Sequence, residues 1–436
     1  KLAERSQEKL AGGDHWRAWQ LATQALDKAP ANASARAAAE AAAASISQDW
    51  QRRIRALAAV DSLAAAEQVL EFVEFRANAA RYAVLTIGAD WSGEEQALRR
   101  SAARWHYQQG WAALESRRPK KAWVHFTEAE RFAPGFRDAA KVAERAYQKA
   151  QTRVAFVPFR ASSGNAALGR EVAAGWRDEL ARQMTPPTAQ FTRVVGGEAV
   201  EAAMSVAQLG NLSREEAARI GRKAGADQVV WGGIGQVNSE TRLHLFSDVI
   251  ARRIVEKDKE GNSSTRWVEI PVEVVARERI VTVEVEYEVV QTKAGATLAR
   301  RRTERTTGAR VVWTSYMPEG DLDAYALVSE TVRAANPDRA HEVEKRWKAT
   351  CGEQTTLRQV LEARRSTRSS ARYGRDVLPR IIAGAAFVFL EDLPPAEDLA
   401  IAALAGGWKP LREDLLRLDA TDDVDLGVAM ADPDED

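Results

Sequence analysis

The sequence predicts a mixed α+β fold: a helical-repeat N-terminal region, a central mixed β-sheet covered by helices, and a helical C-terminal region. Three observations carry this. Residues 1 to about 150 are rich in alanine and patterned as helix throughout. Residues 153–235 read as buried strand, amphipathic helix, strand, helix and buried strand. Strands of strict two-residue alternation follow, and from Leu322 onward the periodicity is helical again. The expected division is 1–150 helical, 151–316 sheet, 317–421 helical, and an acidic, disordered tail over 422–436.

In the first region Gly110, Ala122, Phe126, Ala129 and Pro134 fall at the spacing of a tetratricopeptide repeat, which this segment resembles. Small residues let two helices approach, and Phe126 plugs the seam. Ala18, Ala22, Ala25 and Pro30 match the second half of another repeat, with Ala22 where an aromatic usually sits. A plain helical bundle is the competing reading. Of the thirteen tryptophans, Trp16, Trp19, Trp105, Trp111 and Trp123 cluster here and are expected to pack helices.

The central unit opens on Val154–Phe159, a continuous apolar run expected of a strand buried on both faces. Pro158 belongs at its end, because proline cannot donate to a ladder. Residues 161–165 carry turn chemistry. Leu168, Val172, Trp176, Leu180 and Met184 recur every four residues and form one helical stripe. Thr185-Pro186-Pro187 stops that helix. Phe191–Val195 is a second strand. Ser213 with Glu216 forms a capping box for a helix that Gly225 ends. Gln228–Trp231 returns to buried strand.

These segments resemble the domain shared by the curli secretion channel family, the TolB amino-terminal domain and the lipoprotein activators of penicillin-binding proteins. The resembling pieces are Val154-Ala155-Phe156-Val157-Pro158-Phe159, Phe191-Thr192-Arg193-Val194-Val195, and Ala217-Ala218-Arg219-Ile220-Gly221 through Gly225-Ala226-Asp227-Gln228-Val229-Val230-Trp231-Gly232. Gly196-Gly197 stands where the family usually carries Asp-Arg. The resemblance implies an exported, non-enzymatic protein, a structural turn contact for Asp227, and no catalytic residue.

Val268, Ile270, Val272 and Val274 alternate with Glu269, Pro271 and Glu273. Val281, Val283, Val285, Tyr287 and Val289 alternate with Thr282, Glu284, Glu286 and Glu288. Each run presents one apolar face, and the two read as separate half-buried strands. A transmembrane hairpin needs about 9–11 residues per strand, which the first run does not reach. Residues 293–296 form a turn. Arg300, Arg301, Arg302 and Arg305 return in a basic segment expected to face the glutamates across a ladder. Residues 257–264 are a polar loop tip, 308–314 a further strand, and 366–370 a polar connection. A helix is expected over Glu397–Leu404, stopped by Gly406-Gly407.

Composition excludes several function classes. The 436 residues carry zero formal net charge, so no global field draws the chain to nucleic acid. The single cysteine, Cys351, forms neither an internal disulfide nor a cysteine-built metal site. The longest apolar stretch, Ile381–Leu390, is too short to span a bilayer as helix, which takes about 20 residues. The five histidines include no His-x3-His pair, so no metal is expected. Gly232-Gly233-Ile234-Gly235 lacks the Lys-Ser/Thr of a phosphate loop, and no cofactor is expected. The acidic tail lacks the spacing of a calcium loop.

The functional expectation is a non-enzymatic cell-envelope adaptor or scaffold, periplasmic or associated with the outer membrane. It would bind protein partners through a concave face of helical repeats and through the sheet. Trp111, Trp123 and Phe126 are the candidate partner-binding residues, with core packing the competing role of each. The chain opens at Lys1, which is compatible with loss of a signal segment or a lipid-bearing membrane anchor, or with trimming. Three alternatives stay open: a ring-forming homo-oligomeric secretion component, a cytoplasmic helical scaffold, and an enzyme built from Glu284, Glu286 and Glu288.

Overall fold

The structure, a computed structural model, describes residues 1–85, 87–162, 164–205, 212–257, 259, 261–314, 316–366 and 393–422. The apolar stretch Ile381–Leu390, residues 367–370 of the polar connection and the tail beyond Asp422 lie outside the described residues. The chain forms two compact units, one of Lys1–Thr152 with Arg417–Asp436, the other of Arg153–Leu416.

The first unit holds α1 (Leu2–Ala11), α2 (His15–Lys28), α3 (Ala33–Ala58), α4 (Ser62–Ala79), α5 (Ala89–Glu115), α6 (Pro119–Phe132) and α7 (Ala139–Ala150). Each helix packs against the next in sequence. Asp14, Asn32 and Asp61 accept backbone N–H bonds at the starts of α2, α3 and α4, satisfying donors that a helix leaves open. Alanine dominates the buried faces of α2 and α3, so their axes approach closely. Larger side chains fill the next seam, where Trp50 stacks on Phe72 and Trp91 meets Phe72 edge-on, in a cluster with Ile46, Ile54 and Val69. Gly110 of α5 lies under the Phe126 ring of α6; a Cβ there would come within 2.7 Å of it. Glycine is what permits that crossing.

The same unit takes in the chain's described C-terminal end. Lys120 is buried, and its Nζ donates to the carbonyls of Leu418 at 2.7 Å and Thr421 at 2.8 Å. Asp422 in turn accepts the backbone N–H groups of Lys120 and Lys121.

The second unit is an eight-stranded sheet of order β3-β1-β4-β6-β5-β8, with β2 on β4 and β7 on β6. Its strands are β1 (Thr152–Phe156), β2 (Arg160–Ala161), β3 (Thr192–Val194), β4 (Gln228–Ile234), β5 (Asn238–Lys257), β6 (Ser263–Gln291), β7 (Thr297–Thr314) and β8 (Tyr325–Ala326). β1 and β4 are parallel, and β4 to β7 run antiparallel across β6. The helix between β1 and β3, α8 (Ala166–Gln183), buries the expected stripe from Leu168 to Leu180. Pro158 lies just past β1, as its missing N–H requires. After α9 (Gly197–Ala203) comes α10 (Arg214–Lys223), which carries the expected capping box at Ser213 and Glu216. Gly225 ends it at φ +75°, and Ala217 and Ile220 pack on Val229 and Val290.

The two alternating runs expected as separate strands are one. β6 is 29 residues long and continues through Ala276–Ile280. The even-numbered Val272 and Val274 join Ile250, Trp347, Val360 and Leu361 in one core. Beyond Ala276 the odd-numbered Val281, Val283, Val285, Tyr287 and Val289 are buried instead. Strand side chains alternate faces, so β6 buries opposite faces at its two ends. The C-terminal helices account for this. α12 (Pro337–Cys351) and α13 (Leu357–Ser366) supply the first core, following the short α11 (Glu330–Ala335). α14 (Ala396–Leu404) and α8 cover the second: Trp176 packs edge-on against Tyr287 and donates to the Leu404 carbonyl at 2.8 Å. The expected C-terminal helical region is thus largely a wrapping of the sheet. Gly406-Gly407 does end α14, but α15 (Trp408–Ala420) follows at once.

Of the four arginines expected on the acidic ladder, two take that place: Arg300 pairs with Glu286 and Arg302 with Glu284. Arg301 lies on the other face and holds Asp414 at 3.0 Å, and Arg305 is opposite Val283.

Candidate partner-binding surface on the helical unit

The three candidate residues separate by burial. Phe126 is 0% exposed, wedged between Gly110 and the rings of Tyr107 and Trp111, so it is a packing residue that no partner reaches. Trp123 is half-buried against Tyr147. Trp111 is 37% exposed, its edge resting on Phe126. Sequence spacing pointed to the α5–α6 helix seam but does not distinguish the plug from its rim.

Two tryptophans expected only to pack are more open still, Trp105 at 42% and Trp16 at 44%. Trp16 rests edge-on against Phe75. Trp105 stands over a histidine pair, with ring centroids 4.8 Å from His106 and 5.8 Å from His125. The two Nδ1 atoms of that pair are 3.1 Å apart, so one imidazole donates and the other accepts. Burial holds both histidines below their ordinary pKa; at His106 the glutamates Glu128 and Glu67 oppose the shift, and at His125 the neighbouring His106 and Lys121 add to it. The shared hydrogen bond needs at least one of the two imidazoles neutral, so that its Nδ1 can accept, which the depressed values favour.

Towards the N-terminal half of α5 a cavity of about 480 Å³ opens, lined by Arg76 of α4, by Ser92, Gln96, Arg99 and Arg100, and by the end of α6. Its buried anchor is Glu95, which accepts Arg76 Nη2 at 2.7 Å and Trp91 Nε1 at 3.1 Å. Arg99 Nε donates to the Phe132 carbonyl at 2.7 Å. Tryptophan and arginine are the residue types that most often dominate binding energy at protein interfaces, and α5 carries both, although neither Trp105 nor Trp111 lines this cavity.

The acidic strand face has the opposite character. Glu284 and Glu286 are paired with arginines, and buried Glu288 accepts from Thr297 Oγ1 at 3.0 Å and lies 3.3 Å from Arg214 Nε. Gly232 lies within β4, where a Cβ would meet the Glu286 carbonyl at 2.5 Å, and close strand approach accounts for this glycine. Asp227 Oδ2 accepts the Arg153 N–H at 2.9 Å, a turn contact. Burial pushes the Cys351 thiol up to about 12, which makes it a poor nucleophile. Among the described residues no group of three or more His, Cys, Asp or Glu is placed to hold a metal, and no helix is long and apolar enough to cross a membrane.

No protein-family model matches the chain, and no curated protein matches it.

Proposed function

We propose that this chain is a non-enzymatic adaptor of the cell envelope that binds a protein partner through its helical unit. The observation carrying the reading is the exposed Trp105 and Trp111 on α5, on the helix whose arginines line the cavity. The sheet unit serves as the platform, its acidic side chains neutralised within the ladder rather than converging on a substrate. The envelope assignment rests on the resemblance of residues 154–232 to the curli-channel and TolB type of domain.

Capture from a Gram-negative envelope extract tests this. The immobilised full chain should retain a discrete protein partner. Replacing both Trp105 and Trp111 by Ala should weaken retention about tenfold or more, as loss of interface tryptophans commonly does. No partner retained by the unaltered chain, or equal retention by the variant, would overturn the proposal.

A ring-forming assembly component is the second reading. It is favoured by one feature: among the described residues β7 pairs only with β6, leaving the other edge of an 18-residue strand without a strand partner there. Light scattering separates the two, since a monomer in both buffer and detergent removes the ring.

A further inference from the structure

The cavity of about 480 Å³ beside α5 holds more positive charge than its own walls neutralise. Its ionised lining is Arg76, Arg99, Arg100 and the buried Glu95. Arg76 and Glu95 satisfy each other: Nη2 of the arginine lies 2.8 Å from Oε1 and 2.7 Å from Oε2. Trp91 Nε1 also donates to that carboxylate. Arg99 is anchored by its Nε on the Phe132 carbonyl, and its Nη1 stays 4.0 Å from Glu95, beyond hydrogen-bond reach. Arg100 is exposed and makes no hydrogen bond or ion pair among the described residues. The nearby carboxylates do not line the cavity: Asp90 and Glu94 act on Arg55, and Glu130 accepts the Gly135 N–H at 2.9 Å. Three guanidiniums against one carboxylate leave a surplus of two positive charges, on Arg99 and Arg100.

The open groups decide the ligand. Ser92, Gln96, Arg99 and Arg100 recur at helical spacing and share one face of α5, where all four line the cavity. Helix side chains lean toward the N-terminus, which carries the long arginines back over Gln96. Hydroxyl, amide and guanidinium groups all donate, and the lining carboxylate is already occupied. Such a wall takes an oxyanion, whose lone pairs match the guanidinium fork. Charge separates the oxyanions. A carboxylate carries one negative charge and cancels half of the surplus. A phosphate monoester carries roughly −1.5 to −2 near neutral pH, with three strong acceptor oxygens, and cancels nearly all of it. We infer that this cavity binds a phosphate group, held by Arg99 and Arg100 with Ser92 and Gln96 beside them. Free phosphate and a small organic monoester share that chemistry. Such a site needs no protein partner and stands apart from the interface proposed for Trp105 and Trp111.

Calorimetric titration of the full chain at low salt tests it, with inorganic phosphate and glycerol phosphate as probes and acetate as the control. At least one phosphate should bind one to one, and acetate at least about tenfold more weakly. Tighter binding of the inorganic ion assigns the site to free phosphate, and tighter binding of glycerol phosphate to an organic monoester; either result, or equal affinity, upholds it. Arg100→Gln, at an exposed position, should weaken phosphate binding about tenfold while the circular dichroism stays unchanged. Arg104→Gln removes the same charge one turn further along α5, outside the cavity, and should change affinity by less than about twofold. Binding of neither phosphate, acetate binding as tightly as phosphate, undiminished affinity in a folded Arg100→Gln chain, or an equal loss in Arg104→Gln would each overturn the assignment.

Discussion

Gly110 and the histidine pair show how much rests on single positions. A methyl group at Gly110 gains about 1 kcal/mol of helix propensity. It also overpacks a seam whose plug is fully buried, which typically costs about 1–3 kcal/mol. A Cβ 2.7 Å from the Phe126 ring lets the second effect win, so Gly110→Ala should lower stability in urea titration, and adding Phe126→Leu should recover part of the loss. His106 and His125 titrate below their ordinary value of 6.5 in the fold. The unfolded chain therefore binds more protons just under that pH. The stability they contribute is complete above 6.5 and drains away as pH falls through the depressed folded values. The thermal midpoint should drop between pH 7.5 and 5, and a chain carrying His106→Gln and His125→Gln should show a shallower drop. The seam was legible at this scale because Gly110 and Phe126 sit at a recognisable spacing. The cavity beside Glu95 was not, because Arg76, 19 positions away on another helix, shares no pattern with it.

At the scale of elements, β6 teaches the most. The alternation on either side of Ala276–Ile280 reads correctly as strand, yet the apolar parity shifts from even to odd across that stretch. A change of parity looks like a break when only local pattern is available. Here it records a change in which face the helices cover. The consequence is measurable: Val283→Asp should cost about 3 kcal/mol or more by burying an unpaired charge. Glu284→Thr, one position on but on the solvated face, should stay within about 0.5 kcal/mol. Equal effects in denaturant titration would contradict the assignment of faces. The capping box at Ser213 and Glu216 was fully legible, since all its partners lie within one turn.

Across the whole molecule the division into two units follows chain order only in part. Residues 417–422 belong with the N-terminal helices, held by a lysine whose contacts lie about 300 residues away in sequence. Nothing local marks Lys120 as different from Lys121, and so sequence alone did not find this tie. Lys120→Met leaves two carbonyls without their charged donor and should cost roughly 2–3 kcal/mol. Limited proteolysis should then cut near residue 417 sooner than in the unaltered chain.

The reversal of faces along β6 also limits how this region can change length. A residue added to each paired strand near the midpoint would rotate the far half by one side-chain step, turning its oily side outward while the near half stayed correct. Two residues added in the same place would restore the pattern. Viable insertions and deletions at the centre of this ribbon should therefore come in even numbers.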